Sequence, residues 1–339
     1  MKRKAFKWGF VGIGQGGCRI ADSFYRLGYE DCVFINTAEV DLALIECPED
    51  QKILIGGTGD GAGKDPTVAE RALNHSLDAV KDALGFVGEC EQIFVCAGAG
   101  GGTGTGACLP VFNLIKELMP DTPVGIIASM PGEPELVSAA TARNAQDLLS
   151  KCCDLVDSKS VHPLIVIDNQ EVRRRVKPRS LRTLWVDGNN RFALLMHKLN
   201  TLSATPTMLV SLDKADLKTL MFSSGTLSIG SHEITHPEDE KLIASHLNRS
   251  FTNGILSRSD SPVEESDCAC VLTVPPSVLD GEVSFFDRFS SVVDKYLTRM
   301  PNTYVHRGIY EDEHSASIYS YVLSVGTLPP RDAVLSRFK

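Results

Sequence analysis

The chain has 339 residues, of which 43% are apolar and 23% are charged. These proportions exclude a disordered or fibrous protein and predict a globular chain of about two domains. The net charge of -9 disfavours direct nucleic-acid binding. No apolar run approaches the roughly 18 residues of a membrane span, and the ten cysteines form no C-x-x-C pair. We therefore expect a cytoplasmic protein with reduced thiols and no membrane insertion.

The first half of the chain alternates strand-like runs rich in β-branched residues with helix-like stretches, which is the pattern of a parallel sheet covered by helices. The predicted strands span residues 6–11, 33–36, 53–55, 93–97, 124–129 and 164–167. The predicted helices span 19–27, 67–84, 107–118, 134–150 and 186–202. Thr205-Pro206-Thr207 breaks the last pattern and predicts a hinge.

The second half has a different order of elements. Its predicted helices span 215–222, 237–247 and 284–299, among antiparallel strands at 268–274, 303–310 and 317–325. We therefore predict an α/β fold with an N-terminal parallel-sheet nucleotide-binding domain, a central connecting helix and an α+β C-terminal domain. The predicted boundaries are 1–185, 186–204 and 205–330, followed by a short tail at 331–339.

The first glycine loop, residues 12–17, follows a predicted strand and precedes a helix. Its sequence Gly12-Ile13-Gly14-Gln15-Gly16-Gly17 matches the G-x-G-x-x-G motif of dinucleotide-binding folds. Those folds hold the ribose with an acidic residue at the end of the second strand, where this chain has Asn36-Thr37-Ala38. An NAD(P)-binding oxidoreductase therefore remains an alternative, but the acidic residue that would be its main support is missing.

The second glycine loop, residues 56–65, resembles a P-loop but departs from it at two positions. The motif G-x-x-x-x-G-K-[ST] requires Gly where Thr58 stands and a hydroxyl where Asp65 stands. Because that hydroxyl holds Mg²⁺ in P-loop proteins, the departures argue against a P-loop NTPase.

The third glycine loop, residues 98–106, contains six glycines in nine positions and follows the predicted strand 93–97. Pro110 is tolerated only in the first turn of a helix, which predicts a helix start near Gly106 or Ala107. Exposed amides, a helix dipole and two threonine hydroxyls would together cradle a phosphate chain. Three such loops at the carboxyl ends of one sheet favour a nucleotide site over three packing turns.

The third loop, with Val95-Cys96-Ala97 before it, resembles the signature loop of the tubulin and FtsZ superfamily of GTPases. The resemblance extends over most of the chain. The first loop is similar to the family's first nucleotide loop, and residues 34–37 are similar to its second. Residues 59–66 are similar to the third, which senses the γ-phosphate. Residues 164–169 resemble the strand and loop that end in a base-contacting asparagine.

This resemblance implies GTP or GDP with Mg²⁺ as the ligand. Asn169 and Asn189 would pair with the guanine edge, and Glu133 or Glu135 would approach the ribose, unless these acids only favour a helix N-terminus. The residues implied to bind GTP are Gly14, Gln15, Gly16, Gly17, Arg19, Asn36, Gly61, Ala62, Gly63, Gly98, Ala99, Gly100, Gly101, Gly102, Thr103, Gly104, Thr105, Gly106, Glu135, Asn169 and Asn189.

Asp213 and Asp216 lie three residues apart at a predicted helix start, a spacing that suits two helix-capping carboxylates. The segment also resembles the family's synergy loop, whose carboxylates enter the nucleotide site of the next subunit in a filament. On that interpretation the two aspartates are catalytic, because they orient a water molecule for attack on the γ-phosphate.

The resemblance implies a GTPase that polymerises head to tail, with a role in cell division, cell shape or plasmid and phage DNA positioning. A non-hydrolysing GTP-binding scaffold is a further alternative. The basic run Arg173 to Arg182 predicts a solvated loop or a binding site for an adaptor. The eight histidines show no metal-ligand spacing, and no protein-held metal site is predicted.

Overall fold

The computed structural model describes residues 3–176, 180, 183–252, 254–257, 267–281, 283–297, 305–327 and 329–338. Within them, ten strands form a single sheet. The strands are β1 Trp8–Ile13, β2 Cys32–Asn36, β3 Lys52–Leu54, β4 Gln92–Gly98, β5 Val124–Met130, β6 Leu164–Asp168, β7 Thr226–Ile234, β8 Asp267–Val274, β9 Val305–Glu311 and β10 Ile318–Thr327.

The helices of the described residues lie singly or in succession between most of these strands and after the last one. They are α1 Gly14–Tyr25, α2 Glu39–Leu42, α3 Pro66–His75, α4 Leu77–Leu84, α5 Gly102–Leu118, α6 Glu133–Leu136, α7 Ala139–Asp157, α8 Asn169–Arg175, α9 Leu184–Leu202, α10 Lys214–Phe222, α11 Glu240–Thr252, α12 Pro276–Leu279, α13 Val283–Leu297 and α14 Arg331–Leu335. A 3-10 turn, Ser336–Phe338, follows α14.

The strand order in the sheet is β3-β2-β1-β4-β5-β6-β7-β10-β8-β9. All pairs from β3 to β7 are parallel, which confirms the predicted parallel sheet of the first half. β10 is antiparallel to both of its neighbours. The expectation of a wholly antiparallel second half is wrong, because β9 pairs parallel with β8 after a crossover through α12 and α13.

The sheet is covered by helices on both faces. On one face of the N-terminal sheet, α3, α4, α5 and α7 bury an apolar core with β1, β4 and β5. On the other face, α1, α9 and α10 bury a second core that contains Phe10, Phe24, Phe94 and Phe192. In the C-terminal part, α11 and α13 pack on β8 and β10. No helix of the described residues is long and apolar enough to span a membrane.

Helix α5 begins earlier than the sequence predicts. It starts at Gly102, so that Pro110 lies inside the helix and not in its first turn. The prediction of a start near Gly106 is wrong because packing outweighs the proline penalty of about 3 kcal/mol. The first turns pack so closely that a Cβ at Gly106 would lie 2.1 Å from the Pro66 carbonyl oxygen.

Candidate functional site

An open cleft of about 800 Å³ lies at the carboxyl ends of the parallel strands. Loops that follow β1, β2, β4, β5 and β6 contribute to its walls, as expected where parallel strands of an α/β sheet end. The predicted GTP-binding residues that line it are Gly14, Gln15, Gly16, Arg19, Asn36, Gly61, Ala62, Gly63, Gly98, Ala99, Gly100, Gly101, Gly102, Thr103, Gly104, Glu135, Asn169 and Asn189.

Three of the predicted residues lie outside the cleft lining. A Cβ at Gly17 would lie 2.0 Å from the Cys96 carbonyl oxygen, so this glycine allows α1 to pack on β4. The Thr105 hydroxyl donates to the Ala99 carbonyl at 3.0 Å and is buried. Gly106 faces Pro66. These three positions support the cleft through close packing and do not face its interior.

The third glycine loop presents a helix N-terminus to the cleft. Gly101 is the N-cap of α5, and no side chain caps the helix there. The first backbone amides of the helix therefore remain available for an anion, and the helix dipole favours negative charge at this end. Gly14, with a φ of 66°, brings the first loop against Gly104. The two loops thus form one continuous backbone surface.

The second glycine loop places a cation at this end of the cleft. Lys64 adopts a left-handed backbone conformation with a φ of 65°. Its Nζ donates to Ser138 Oγ at 3.2 Å and to Thr141 Oγ1 at 3.0 Å, and all three residues line the cleft. Thr141 in turn lies close to Gly100 of the third loop. Lys64 is not among the residues predicted to bind GTP, although a single basic residue in a glycine loop is a visible signal.

Asp41, whose carboxylate lies beside the first loop, is also absent from the predicted GTP-binding residues. Asp41 accepts a hydrogen bond from Gln15 Nε2 at 2.7 Å and another from Asn36 Nδ2 at 3.2 Å. The short helix α2, which follows Ala38, brings Asp41 into the same wall of the cleft. Nearby, the hydroxyls of Thr37 and Thr103 are 2.8 Å apart.

The far end of the cleft combines amide groups with an aromatic ring. Asn169 Nδ2 donates to Glu135 Oε2 at 3.1 Å, and that oxygen also accepts from the Gly132 amide at 2.8 Å. Glu135 therefore positions Asn169 and closes the first turn of α6. Asn189 and Trp185, both on α9, line the same end, and the Arg173 guanidinium lies 6.0 Å from the Trp185 ring.

The basic run at 173–182 is only partly described. Arg174 and Arg175 pair with Glu171 at 3.0 and 2.5 Å. Residues 177–179, 181 and 182 lie outside the described residues. An adaptor site on this run stays a prediction.

Asp213 and Asp216 form a reciprocal cap at the start of α10. Asp213 Oδ1 accepts from the Asp216 amide at 2.9 Å, and Asp216 Oδ2 accepts from the Asp213 amide at 3.2 Å. Neither residue lines the cleft of its own chain. Between them, Lys214 Nζ pairs with Glu91 at 2.6 Å, immediately before β4.

The segment before this cap is held by β9. The Tyr310 hydroxyl accepts from the Leu212 amide at 2.8 Å and donates to the Leu212 carbonyl at 2.9 Å. Burial raises the pKa of Tyr310 to about 12, so the hydroxyl stays protonated at neutral pH. Within the described residues no cluster of three or more His, Cys, Asp or Glu side chains could share a metal ion.

A glycine loop that leads into an uncapped helix at the ends of parallel strands is typical of α/β proteins that bind phosphate-bearing ligands. The family model described as the GTPase domain of the tubulin/FtsZ family matches residues 8–177. The chain belongs to the tubulin/FtsZ family, which confirms the resemblance found in its sequence.

Relatives in this family match different shares of the chain. The cell division protein FtsZ 2 of Haloferax volcanii is 33% identical over 220 residues, which cover 63% of this chain and 51% of that protein. The tubulin-like protein CetZ of Pyrococcus abyssi is 26% identical over 323 residues, which cover 93% of this chain and 84% of that protein. This chain therefore spans about half the length of the FtsZ 2 relatives it matches.

A solved structure has the same fold over nearly the whole chain. It is the GTPγS-form protofilament of TubZ from Bacillus thuringiensis serovar israelensis, with a TM-score of 0.83 and 22% identity. The match covers 99% of this chain and 92% of that one. The predicted tubulin/FtsZ-like α/β fold is thereby confirmed.

Proposed function

We propose that this protein is a cytoplasmic GTPase of the filament-forming kind, which binds GTP with Mg²⁺ in the cleft and assembles head to tail. The observation that carries the binding step is the uncapped N-terminus of α5 after a glycine loop, with Lys64 beside it. The phosphates would lie over 98–104 because the free amides and the ammonium group are concentrated there. The TubZ protofilament with GTPγS supports the same ligand class.

The base would occupy the far end of the cleft. Asn169 and Asn189 carry amide groups that both donate and accept hydrogen bonds, as a guanine edge requires. Trp185 supplies an aromatic face for stacking. Asn189→Ala should weaken GTP binding more than ATP binding in a fluorescence titration. Equal affinity of the unmodified protein for GTP and ATP would contradict guanine recognition.

Most ligands of the Mg²⁺ would come from the nucleotide phosphates and water, as is usual for this ion. The paired hydroxyls of Thr37 and Thr103 are hard oxygen donors on the cleft wall and suit such an ion or its waters. A cluster of protein carboxylates is not required.

Hydrolysis would be completed by Asp213 and Asp216 of the neighbouring subunit. In one chain, Lys214 pairs with Glu91 at the amino end of β4, whereas the glycine loop leaves the carboxyl end of the same strand. Seven residues of extended chain separate these ends by about 20 Å. The aspartates therefore cannot reach their own nucleotide, but a head-to-tail neighbour would bring them to it.

Exposed apolar side chains support this association. Met208, Leu209 and Val210 are exposed immediately before the aspartates, and Val137 is 88% exposed at the rim of the cleft. Contact between these two surfaces would remove apolar area from water in each added subunit.

The test is phosphate release measured against protein concentration, with light scattering in parallel. We expect GTP to raise scattering and turnover per subunit to rise with concentration until assembly is complete. A non-hydrolysing scaffold would scatter light without releasing phosphate. Turnover per subunit that is independent of concentration would contradict the shared site.

A further inference from the structure

The strand β9 forms the backing of the segment that carries the two aspartates. Its alternate residues His306, Gly308 and Tyr310 point to one side, because successive side chains of a strand face opposite ways. Tyr310 holds Leu212 through two hydrogen bonds, and a Cβ at Gly308 would lie 3.2 Å from the Leu212 amide nitrogen.

His306 extends this contact to the carboxylate itself. Its Nδ1 lies 2.9 Å from Asp216 Oδ1, and only 7% of the histidine side chain is exposed. An ionised carboxylate can only accept a hydrogen bond, so Nδ1 carries the proton and donates. The backbone is joined as well, since the Ile309 amide donates to the Val210 carbonyl at 2.7 Å.

These contacts make the two aspartates unequal. Asp216 has both oxygens occupied, Oδ1 by His306 and Oδ2 by the Asp213 amide. Asp213 is exposed, and its Oδ1 accepts from the Asp216 amide. Among the described residues its Oδ2 has no hydrogen-bond partner.

We propose that His306 is a positioning residue for GTP hydrolysis, acting on the neighbour's nucleotide through Asp216. The proposal rests on the function proposed above. By fixing the Asp216 carboxylate, His306 fixes the cap that orients Asp213, so the exposed carboxylate meets the attacking water in one geometry. Such orientation counts because small displacements of a catalytic group cost large factors in rate.

The experiment compares two substitutions at this position. His306→Leu removes the donor, whereas His306→Asn keeps an amide N–H near the position of Nδ1. His246→Leu is the matched control, because His246 is also a buried histidine of the C-terminal part but lies on α11. Three quantities are measured: GTP affinity below the assembly threshold, the critical concentration for assembly, and phosphate release per assembled subunit.

We expect His306→Leu to lower phosphate release per assembled subunit about tenfold, with GTP affinity and critical concentration within about twofold of the unmodified protein. His306→Asn should recover most of the loss, and His246→Leu should release phosphate at the normal rate. Combined with Asp216→Asn, His306→Leu should add no further loss, because both substitutions act through the same hydrogen-bonded pair.

Normal phosphate release by His306→Leu, an unrescued loss in His306→Asn, or a further loss in the double variant would overturn the positioning role. The proposed function fails separately. If Asp213→Asn and Asp216→Asn both hydrolyse GTP at the normal rate, the aspartates are not catalytic at all. If only these two variants are slow, catalysis by the aspartates stands and the role of His306 does not.

Discussion

At the scale of single residues, substitutions at Gly101 and Gly104 should separate an effect on GTP binding from an effect on folding. A Cβ at Gly104 would lie 2.5 Å from the Gly98 carbonyl oxygen, whereas a Cβ at Gly101 meets no atom within 4 Å. Gly101→Ala should therefore unfold at the same urea concentration as the unmodified protein but bind GTP about tenfold more weakly, since a methyl group would stand where phosphate oxygens meet the amides.

Gly104→Ala is the structural counterpart and should lower the urea midpoint. Unchanged GTP affinity in Gly101→Ala would remove the third loop from the binding site. Equal stability losses in the two variants would show that both glycines serve packing alone.

Lys64 should distinguish GTP from GDP. Its ammonium group lies beside the third loop, and hydrogen bonds to charged groups contribute about 1.5–3 kcal/mol. If it contacts the γ-phosphate, Lys64→Met should weaken GTP binding about tenfold or more and leave GDP binding almost unchanged. Isothermal titration with the two nucleotides measures the ratio.

Lys64→Gly is the control for the backbone. Glycine adopts the left-handed conformation of this position without the cost of about 1 kcal/mol that other residues bear. Lys64→Gly should therefore raise the free energy of unfolding and, like Lys64→Met, lose the preference for GTP over GDP. Retention of that preference in both variants would show that the lysine only bridges the loop to α7.

The glycines that line the cleft were predictable because a glycine-rich loop after a strand is visible in local sequence. Asp41 and Trp185 were not, because their places in the cleft depend on how separate elements meet. Cys18 and Arg19 are neighbours in sequence, but only one of them faces the cleft. Arg19 lines the cleft, whereas the Cys18 thiol is buried and donates to Gly12 and Ile35 carbonyls, and burial raises its pKa.

At the scale of elements, the C-terminal segment is joined to the N-terminal half by two arginines whose carboxylate partners differ in burial. Arg337 donates to both oxygens of Asp168, at 2.7 and 2.6 Å, and the Asp168 side chain is 4% exposed. Arg337→Met leaves one of these buried oxygens without a partner, because Asp168 Oδ1 alone also accepts from α8 amides. We expect a loss of about 1–3 kcal/mol in the free energy of unfolding, measured by urea denaturation.

Arg331 provides the matched control in the same segment. It pairs with Asp154 and Asp157, whose side chains are 66% and 50% exposed. Exposed pairs contribute little, so Arg331→Met should cost less than about 1 kcal/mol. Equal losses in the two variants would contradict the assignment of Arg337 as the main attachment of the C-terminal segment.

Two differences between the predicted and the observed elements have physical causes. β7 contains Gly230, which pattern analysis counts against a strand, but a Cβ there would lie 1.9 Å from the Ser250 carbonyl of the crossing helix α11. The predicted helix 67–84 is divided at Ser76, whose hydroxyl accepts from the Gly56 amide. In both places a contact distant in sequence decides the local structure.

At the scale of the whole molecule, β4 connects the two functional ends. Glu91 before the strand holds Lys214 beside the aspartates, and Gly98 at its end begins the third glycine loop, which is proposed to bind the phosphates. A rigid strand of the central sheet keeps these ends apart in each subunit. The domain boundaries remain a prediction. Under the function proposed above, this separation means that one chain would contribute to two nucleotide sites in a filament.

The shared site predicts complementation between two defective proteins. Asp213→Asn keeps an N-cap, because asparagine caps helices about as well as aspartate, so its stability should change little. It should bind GTP, assemble, and hydrolyse it about 100-fold more slowly. Mixed with Gly101→Ala at a GTP concentration that leaves most sites of the latter unoccupied, it should regain turnover, since Gly101→Ala supplies intact aspartates to the occupied sites. Light scattering confirms that the two proteins still assemble together. Coassembly without any gain in phosphate release, together with full activity of Asp213→Asn alone, would leave Asp213 and Asp216 as helix caps.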